Sequence, residues 1–167
     1  MNSLDKQLSE QTFKEVMGNY PTGVTIVTTT DDHGTPLGLT VNSFASVSIE
    51  PLLILWSIDK KVSSYDVFIN TGKFAVHILA GDQTELCNLF AKKGADRFGN
   101  SDWDLSNIHL PIIKETAAVL QCNTFKTVDA GDHTILIGEV MEITNNNKQP
   151  LLYHRRKTGN IPIEFYK

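Results

Sequence analysis

Cysteine is nearly absent from this chain: Cys87 and Cys122 are the only two in 167 residues, they form no CxxC pair, and neither has a histidine at metal-ligand spacing. That argues against a disulfide scaffold or a zinc site, and each cysteine reads as a small buried hydrophobe. Long hydrophobic runs are missing too. No stretch approaches the ~18 apolar residues of a membrane helix, and the opening MNSLDKQLSEQ has no apolar leader core. Neither sign of charge dominates: 15 Lys and Arg face 19 Asp and Glu, for a net charge of −4, with no block of either. Nucleic-acid and membrane-surface binding are therefore not expected. There is no GxGxxG and no Walker-type loop, so the usual glycine-rich phosphate cradles are excluded. The chain also lacks repeats, low-complexity tracts and linkers. The expectation is a cytoplasmic protein with residues 1–167 forming a single domain, since ~150 residues is a usual domain size.

What is present is mostly strand signal. Ser9 is placed to cap a first helix carrying Phe13, Val16, Met17 and Tyr20 on one face. VTIVTTT, 24–30, is β-branched enough for a strand, and DDHGTP supplies turn chemistry for a hairpin. LLILWSI, 52–58, reads as a buried strand. Val62, Tyr65 and Ile69 then have helical spacing, ended by Gly72. KFAVHIL alternates, with Phe74, Val76 and Ile78 on one face and His77 directed away, toward solvent or a partner, as a satisfied structural histidine. Asp82 and Glu85 resemble a capping box for a helix with Leu86, Leu89 and Phe90. A Gly, Asp, Asn and Pro-rich loop follows. Two strands, 120–128 and 133–143, flank DAGD; TNNNKQP is a polar turn, and the tail has room for one more short strand. Many strands with hairpin signals and few helices predict a mainly β fold, an antiparallel barrel with helical decorations.

Two stretches are poor packing material. VNSFASVSIEP, 41–51, is small, hydroxyl-rich and amide-rich, where a strand favours bulkier residues. Such backbone lets a planar group approach closely and hydrogen-bond its polar rim, as a flavin ring requires. The alternative is a solvated loop with local Ser and Asn turns. SIDKKVSSYD places Ser57, Lys60, Lys61, Ser63 and Ser64 between a strand and a helix start. That junction is suited to an anion, or else is an ordinary capped helix with exposed lysines. The strand between the two stretches spans ~20 Å, a fair separation for the ring and the phosphate of one cofactor.

The segment YPTGVTIVTTTDDHGTPLGLTVNSFASVSIEPLLILWSIDKKVSS resembles the N-terminal half of the short-chain flavin reductase family, the FMN-binding split-barrel proteins. The likeness continues through GKFAVHILAGDQTELCNLFA, DRF, AGDHTILIGEV and PLLYHRR, in that order, over nearly all the chain after the first helix. The resemblance implies an antiparallel, Greek-key-like split β-barrel that forms a homodimer and holds FMN or FAD. It implies that Thr40, Asn42, Ser43, Phe44, Ala45, Ser46 and Ser48 line the ring and ribityl portion, and that Lys60, Ser63 and Ser64 form the phosphate turn. Arg97 and Phe98 match a pair near the bound cofactors, and His133 and Tyr153 match nicotinamide contacts.

The activity implied is hydride transfer from NADH or NADPH to the flavin, with no catalytic acid or base required and reduced flavin passed to a partner monooxygenase. Alternatives are a non-catalytic FMN-binding electron carrier on the same barrel, a pyridoxamine-phosphate-oxidase-like enzyme, and a cofactor-free interaction module. His77 stands where relatives commonly have Asn. The basic run His154 to Arg156 lies outside the flavin motifs and reads as solvated surface or as a contact for a dinucleotide phosphate.

Overall fold

Three residues, Asn42 to Phe44, join two strands that lie at opposite ends of one seven-stranded sheet. The structure, a computed structural model, describes residues 9–167; the first eight, on which the expectation of no leader partly rests, lie outside the described residues. The strands are β1 (Thr22–Gly23), β2 (Thr25–Thr30), β3 (Pro36–Val41), β4 (Ala45–Ser48), β5 (Leu53–Asp59), β6 (Lys73–Ile78), β7 (Trp103–Leu105), β8 (Pro111–Ile113), β9 (Ala118–Ala130), β10 (His133–Asn145), β11 (Leu151–His154) and β12 (Lys157–Asn160). The helices are α1 (Glu10–Gly18), α2 (Tyr65–Asn70) and α3 (Thr84–Ala91), with a 3-10 turn at Ile163–Tyr166.

The main sheet runs β3-β2-β6-β9-β10-β5-β4, every pair antiparallel. Laid flat, its edges would stand six strand spacings, or ~29 Å, apart. The link from Val41 to Ala45 reaches at most ~14 Å. The sheet must therefore curl until its edges approach, which makes a barrel with an unzipped seam at Asn42–Phe44. The expected mainly β, antiparallel split barrel is thus observed.

The inner face holds Val27, Leu39, Ile54, Trp56, Ile58, Phe74, Val76 and Leu136, with Phe68 of α2 as a plug. Trp56 meets Phe68 and Phe74 edge-on, with ring centroids 5.2 and 5.7 Å away. Gly138 on β10 gives Phe74 its room, because a Cβ there would lie 2.5 Å from the ring. A second cluster, Val24, Ile26, Leu79, Cys87, Phe90, Ile113 and Leu151, fills the space under α3. Both cysteines are buried and free.

Several expectations change. All six side chains of β2 are buried, because its threonines are staples on both faces. Thr28 and Thr30 donate to the Pro111 and His109 carbonyls at 2.6 and 3.0 Å, while Thr25 and Thr29 donate to Val41 and Lys73 carbonyls at 3.0 and 2.9 Å. The segment read as a loop contains the hairpin β7–β8, and the tail forms two strands, β11 and β12. Part of the polar run forms the edge strand β4. No capping box starts α3: its N-cap is Gln83, whose side chain instead accepts from the Ala80 N–H at 3.0 Å. The apolar face of α1 is exposed, Phe13 being 67% accessible, and the helix ends at Gly18, which leaves Tyr20 beyond it and equally exposed.

His77 faces neither solvent nor a partner; it is fully buried under β8. Its Nδ1–H donates to the Ile26 carbonyl at 3.0 Å and its Nε2 accepts from the Ile113 N–H at 3.1 Å, so the neutral ring is satisfied on both sides. The structural role expected of it holds, and its location explains it. Burial pushes its pKa down from 6.5 to about 4. Above pH 6.5 folded and unfolded chains both hold it neutral; below, the unfolded chain takes up the proton first. Stability should therefore fall between pH 6.5 and 4 by about 3 kcal/mol from this residue, then level off. Urea unfolding of the wild type and His77→Gln across that range tests this: the variant should lack this share of the pH dependence, and equal slopes would remove the assignment.

Candidate functional site

The seam is held by side chains rather than by a ladder. Ser43 Oγ accepts from the Ser57 N–H at 2.9 Å and donates to the Ser57 carbonyl at 3.3 Å, standing in for a backbone partner of β5. Thr40 donates to the Cys87 carbonyl at 2.7 Å and ties β3 to α3. Both hydroxyls are therefore committed to the frame, which leaves main-chain groups and the exposed Asn42 amide for a ligand.

A cleft of about 570 Å³ opens there, lined by Asn42, Ser43, Ser57, Asp59, Val62, Ala130, His133 and Ile135. It continues, through shared walls of Leu39, Thr40, Asp59 and Val62, into a second cleft of about 420 Å³ lined also by Lys61, Ser63, Phe90, Lys93 and Arg97. One end is polar over apolar walls, with Asp59 as its one carboxylate. The other end gathers three cations, and among the described residues none of Lys61, Lys93 and Arg97 has a carboxylate at ion-pair distance. Asp59, between the two, uses one oxygen to accept from the Lys61 N–H at 2.8 Å, which shapes the loop.

Arg97 is half-buried and bonded to carbonyls only: Nη1–H to Gly38 at 2.6 Å and Nη2–H to Lys92 at 3.1 Å. Its Nε is buried without a partner, and burial lowers its pKa. The Ser64 hydroxyl, at the N-cap of α2, is likewise buried and unpartnered. Gly38 is required where it stands, because a Cβ would lie 2.8 Å from the Phe90 ring and 3.2 Å from Phe98. Phe98 stacks edge-on between Phe90 and Trp103, with centroids 5.3 Å from each, and so backs the cleft wall.

The structure brings Thr40, Asn42, Ser43, Ser63, Arg97 and His133 to this continuous cleft. It does not bring the others to its lining. Phe44 packs on the inner core, Ala45, Ser46 and Ser48 sit on edge strand β4, and Tyr153 pairs with Thr22 and packs on the second cluster. Lys60 turns away, donating to the Gly131 carbonyl at 2.7 Å and pairing with Asp129. The sequence reading missed Asp59, Val62, Lys93 and Ile135 as lining residues. The Lys92-Lys93-Gly94 run after α3 was the one visible signal for Lys93. Among the described residues no group of three or more His, Cys, Asp or Glu is placed to hold a metal.

The fold is a curled antiparallel split barrel with a polar cleft at its seam and a cationic pocket beside it. The family model described as "Flavin reductase like domain" matches residues 17–162, and the chain belongs to that family. It is 43% identical over 155 residues to the reductase component of the flavin-dependent trigonelline monooxygenase of Acinetobacter baylyi, covering 93% of this chain and 50% of that one. It is 40% identical over 145 residues to FMN reductase (NADH) SmoA of Agrobacterium fabrum, covering 87% and 82%. The chain thus spans half the length of the first relative and most of the second. Among solved structures it resembles flavin reductase PheA2, with a TM-score of 0.85 at 34% identity over 93% of this chain and 99% of that one. It also resembles the Streptomyces globisporus NADH:FAD oxidoreductase SgcE6 in complex with NAD and FAD fragments, with a TM-score of 0.88 at 31% identity over 93% and 94%.

Gly38→Ala should displace Phe90, which is fully buried, and lower stability by about 1–3 kcal/mol. Denaturant unfolding checks this, and an unchanged midpoint would mean the ring moves freely.

Proposed function

We propose that the chain is an NAD(P)H-dependent flavin reductase that uses FMN or FAD and supplies reduced flavin to a partner monooxygenase. The observation that carries it is the pairing of a polar cleft with a pocket that gathers Lys61, Lys93 and Arg97 against the single carboxylate of Asp59, none of the three being in an ion pair among the described residues. The residues fit such a cofactor. Main-chain groups of the seam and Asn42 suit the polar rim of a ring over the apolar walls of Leu39, Val62 and Ile135. Lys61, Ser63, Lys93 and Arg97, whose Nε lacks a partner, suit a phosphoryl group. Lys61 replaces Lys60 in that role, since Lys60 lines neither cleft.

When bound, the flavin supplies the hydride-accepting chemistry. The chain's own contribution is orientation and water exclusion: His133 at the cleft mouth holds the nicotinamide side, and Phe98 and Phe90 keep the rear wall dry. Support for the donor and flavin comes from SmoA, called an FMN reductase (NADH), and from SgcE6, solved with NAD and FAD fragments. The trigonelline enzyme's reductase component supports the monooxygenase partner.

The reading also includes a homodimer in the cytoplasm. Phe13, Val16 and Met17 on α1 and Tyr20 just after it, with Phe125, Met141 and Ile143 on the β9–β10 hairpin, are too many exposed apolar side chains to leave wet. In that dimer Ser46, Ser48 and Tyr153 act from the interface rather than from the cleft of one chain.

The test is NADH and NADPH oxidation by the purified protein with FMN, FAD, riboflavin or no flavin. Flavin-dependent turnover of ~1–1,000 per second supports the reading; flavin binding without turnover would make the protein an electron carrier. Lys61→Met and Lys93→Met should each weaken FMN binding about tenfold, roughly one charge-assisted contact, and leave riboflavin binding unchanged. Equal loss for both flavins would remove the phosphate pocket.

A further inference from the structure

The tip of the β9–β10 hairpin, Asp129 to Asp132, is exposed and has no core beneath it, yet it presents His133 to the cleft. Tips of this kind fray unless something outside the hairpin holds them. The β10–β5 ladder stops at the pair His133–Asp59, so it secures nothing beyond His133. One residue takes over at that point. The Lys60 backbone N–H donates to the Asp132 carbonyl at 3.0 Å, its Nζ donates to the Gly131 carbonyl at 2.7 Å, and the same Nζ pairs with the Asp129 carboxylate. Asp132, fixed through its own carbonyl, accepts at its Oδ1 from His133 Nδ1 at 2.7 Å. Gly131 makes the turn possible with φ of 66°.

We infer that Lys60 is a positioning residue: it straps the hairpin tip to the loop after β5 and so sets where His133 stands over the cleft, acting on nicotinamide binding and not on flavin phosphate. This rests on the reductase reading above for the nature of the ligand, though not for the strap itself. An isolated exposed ion pair contributes little. Here a single ammonium, with its three donors, also satisfies a main-chain carbonyl, and the two contacts share one side chain's ordering. The arrangement separates neighbouring lysines by task. Lys61 lines the cationic pocket, while Lys60, one residue earlier and on the other side of the chain, ties down the wall that carries His133. The Asp129 carboxylate beside it holds the Lys60 ammonium above its ordinary pKa, so the strap stays charged at neutral pH.

Lys60→Met, Lys60→Arg and Lys61→Met are compared by two measurements. The first is hydrogen exchange of the peptide covering 129–134 in the flavin-free protein, which needs no activity. The second is KM for NADH against Kd for FMN. Lys60→Met should speed exchange at the tip about tenfold, raise KM for NADH about 3- to 10-fold and leave Kd for FMN within about twofold, with Lys60→Arg restoring part of each. Lys61→Met should do the reverse: weaker FMN binding and unchanged tip exchange. Loss of FMN affinity in Lys60→Met equal to that in Lys61→Met would make Lys60 a phosphate ligand and overturn the inference. Unchanged exchange in Lys60→Met would show a self-supporting tip and overturn it too. If the wild type fails to oxidise NADH at all, the reductase reading falls while the exchange comparison still decides the strap.

Discussion

A short tether between the two edges of the main sheet governs the molecule. With only Asn42 to Phe44 between β3 and β4, the sheet has to curl, and the curl fixes three consequences together. The inner face closes over Trp56 and its aromatic neighbours. The seam is left without a complete ladder, so main-chain groups remain free there. The cationic loop after β5 comes to lie beside that seam, because β5 is hydrogen-bonded to β4. The cleft is thus a by-product of closure, and the small side chains of the tether are what closure there tolerates.

Much of this was legible in the sequence because alternation and turn chemistry are local. The DDHGTP hairpin, with Asp31 accepting from the His33 and Thr35 N–H groups at 2.9 and 2.8 Å, is written in four or five residues. The strands flanking DAGD extend further than the reading because their ends are set by pairing, Val119 with Thr144 and Ala118 with Asn145, and not by a continued alternation. What local pattern could not convey was coverage from elsewhere. Nothing in VTIVTTT says that both faces will be buried; that depends on the β7–β8 hairpin and on α3, both distant in sequence. His77 was misplaced for the same reason: alternation put it opposite the core, and a second layer made that side a core as well.

The site was partly legible. Composition and family resemblance pointed to Thr40, Asn42, Ser43 and Ser63, which the structure places on the clefts, whereas they did not separate Lys60 from Lys61. Adjacent lysines look equivalent in sequence, and only the position of the β9–β10 tip, with Gly131 lying 71 residues from Lys60, tells them apart. Ser43 and Thr40 show a related limit. Their hydroxyls looked available for a ligand, yet each is occupied by the frame, so their value lies in fixing the backbone that the ligand meets.

A barrel left open at its seam has ends, and strand ends with free carbonyls are templates for another chain. This molecule covers one and distorts the other. Arg97 occupies the Gly38 carbonyl on β3, in a spot where only glycine leaves room for the rings behind it. On β4 the register slips between Ser46 and Ser48, so the strand bends out of a regular hydrogen-bonding line. The arginine beside the cleft therefore has a second consequence unrelated to ligands: it withholds one carbonyl of the open edge from any added strand.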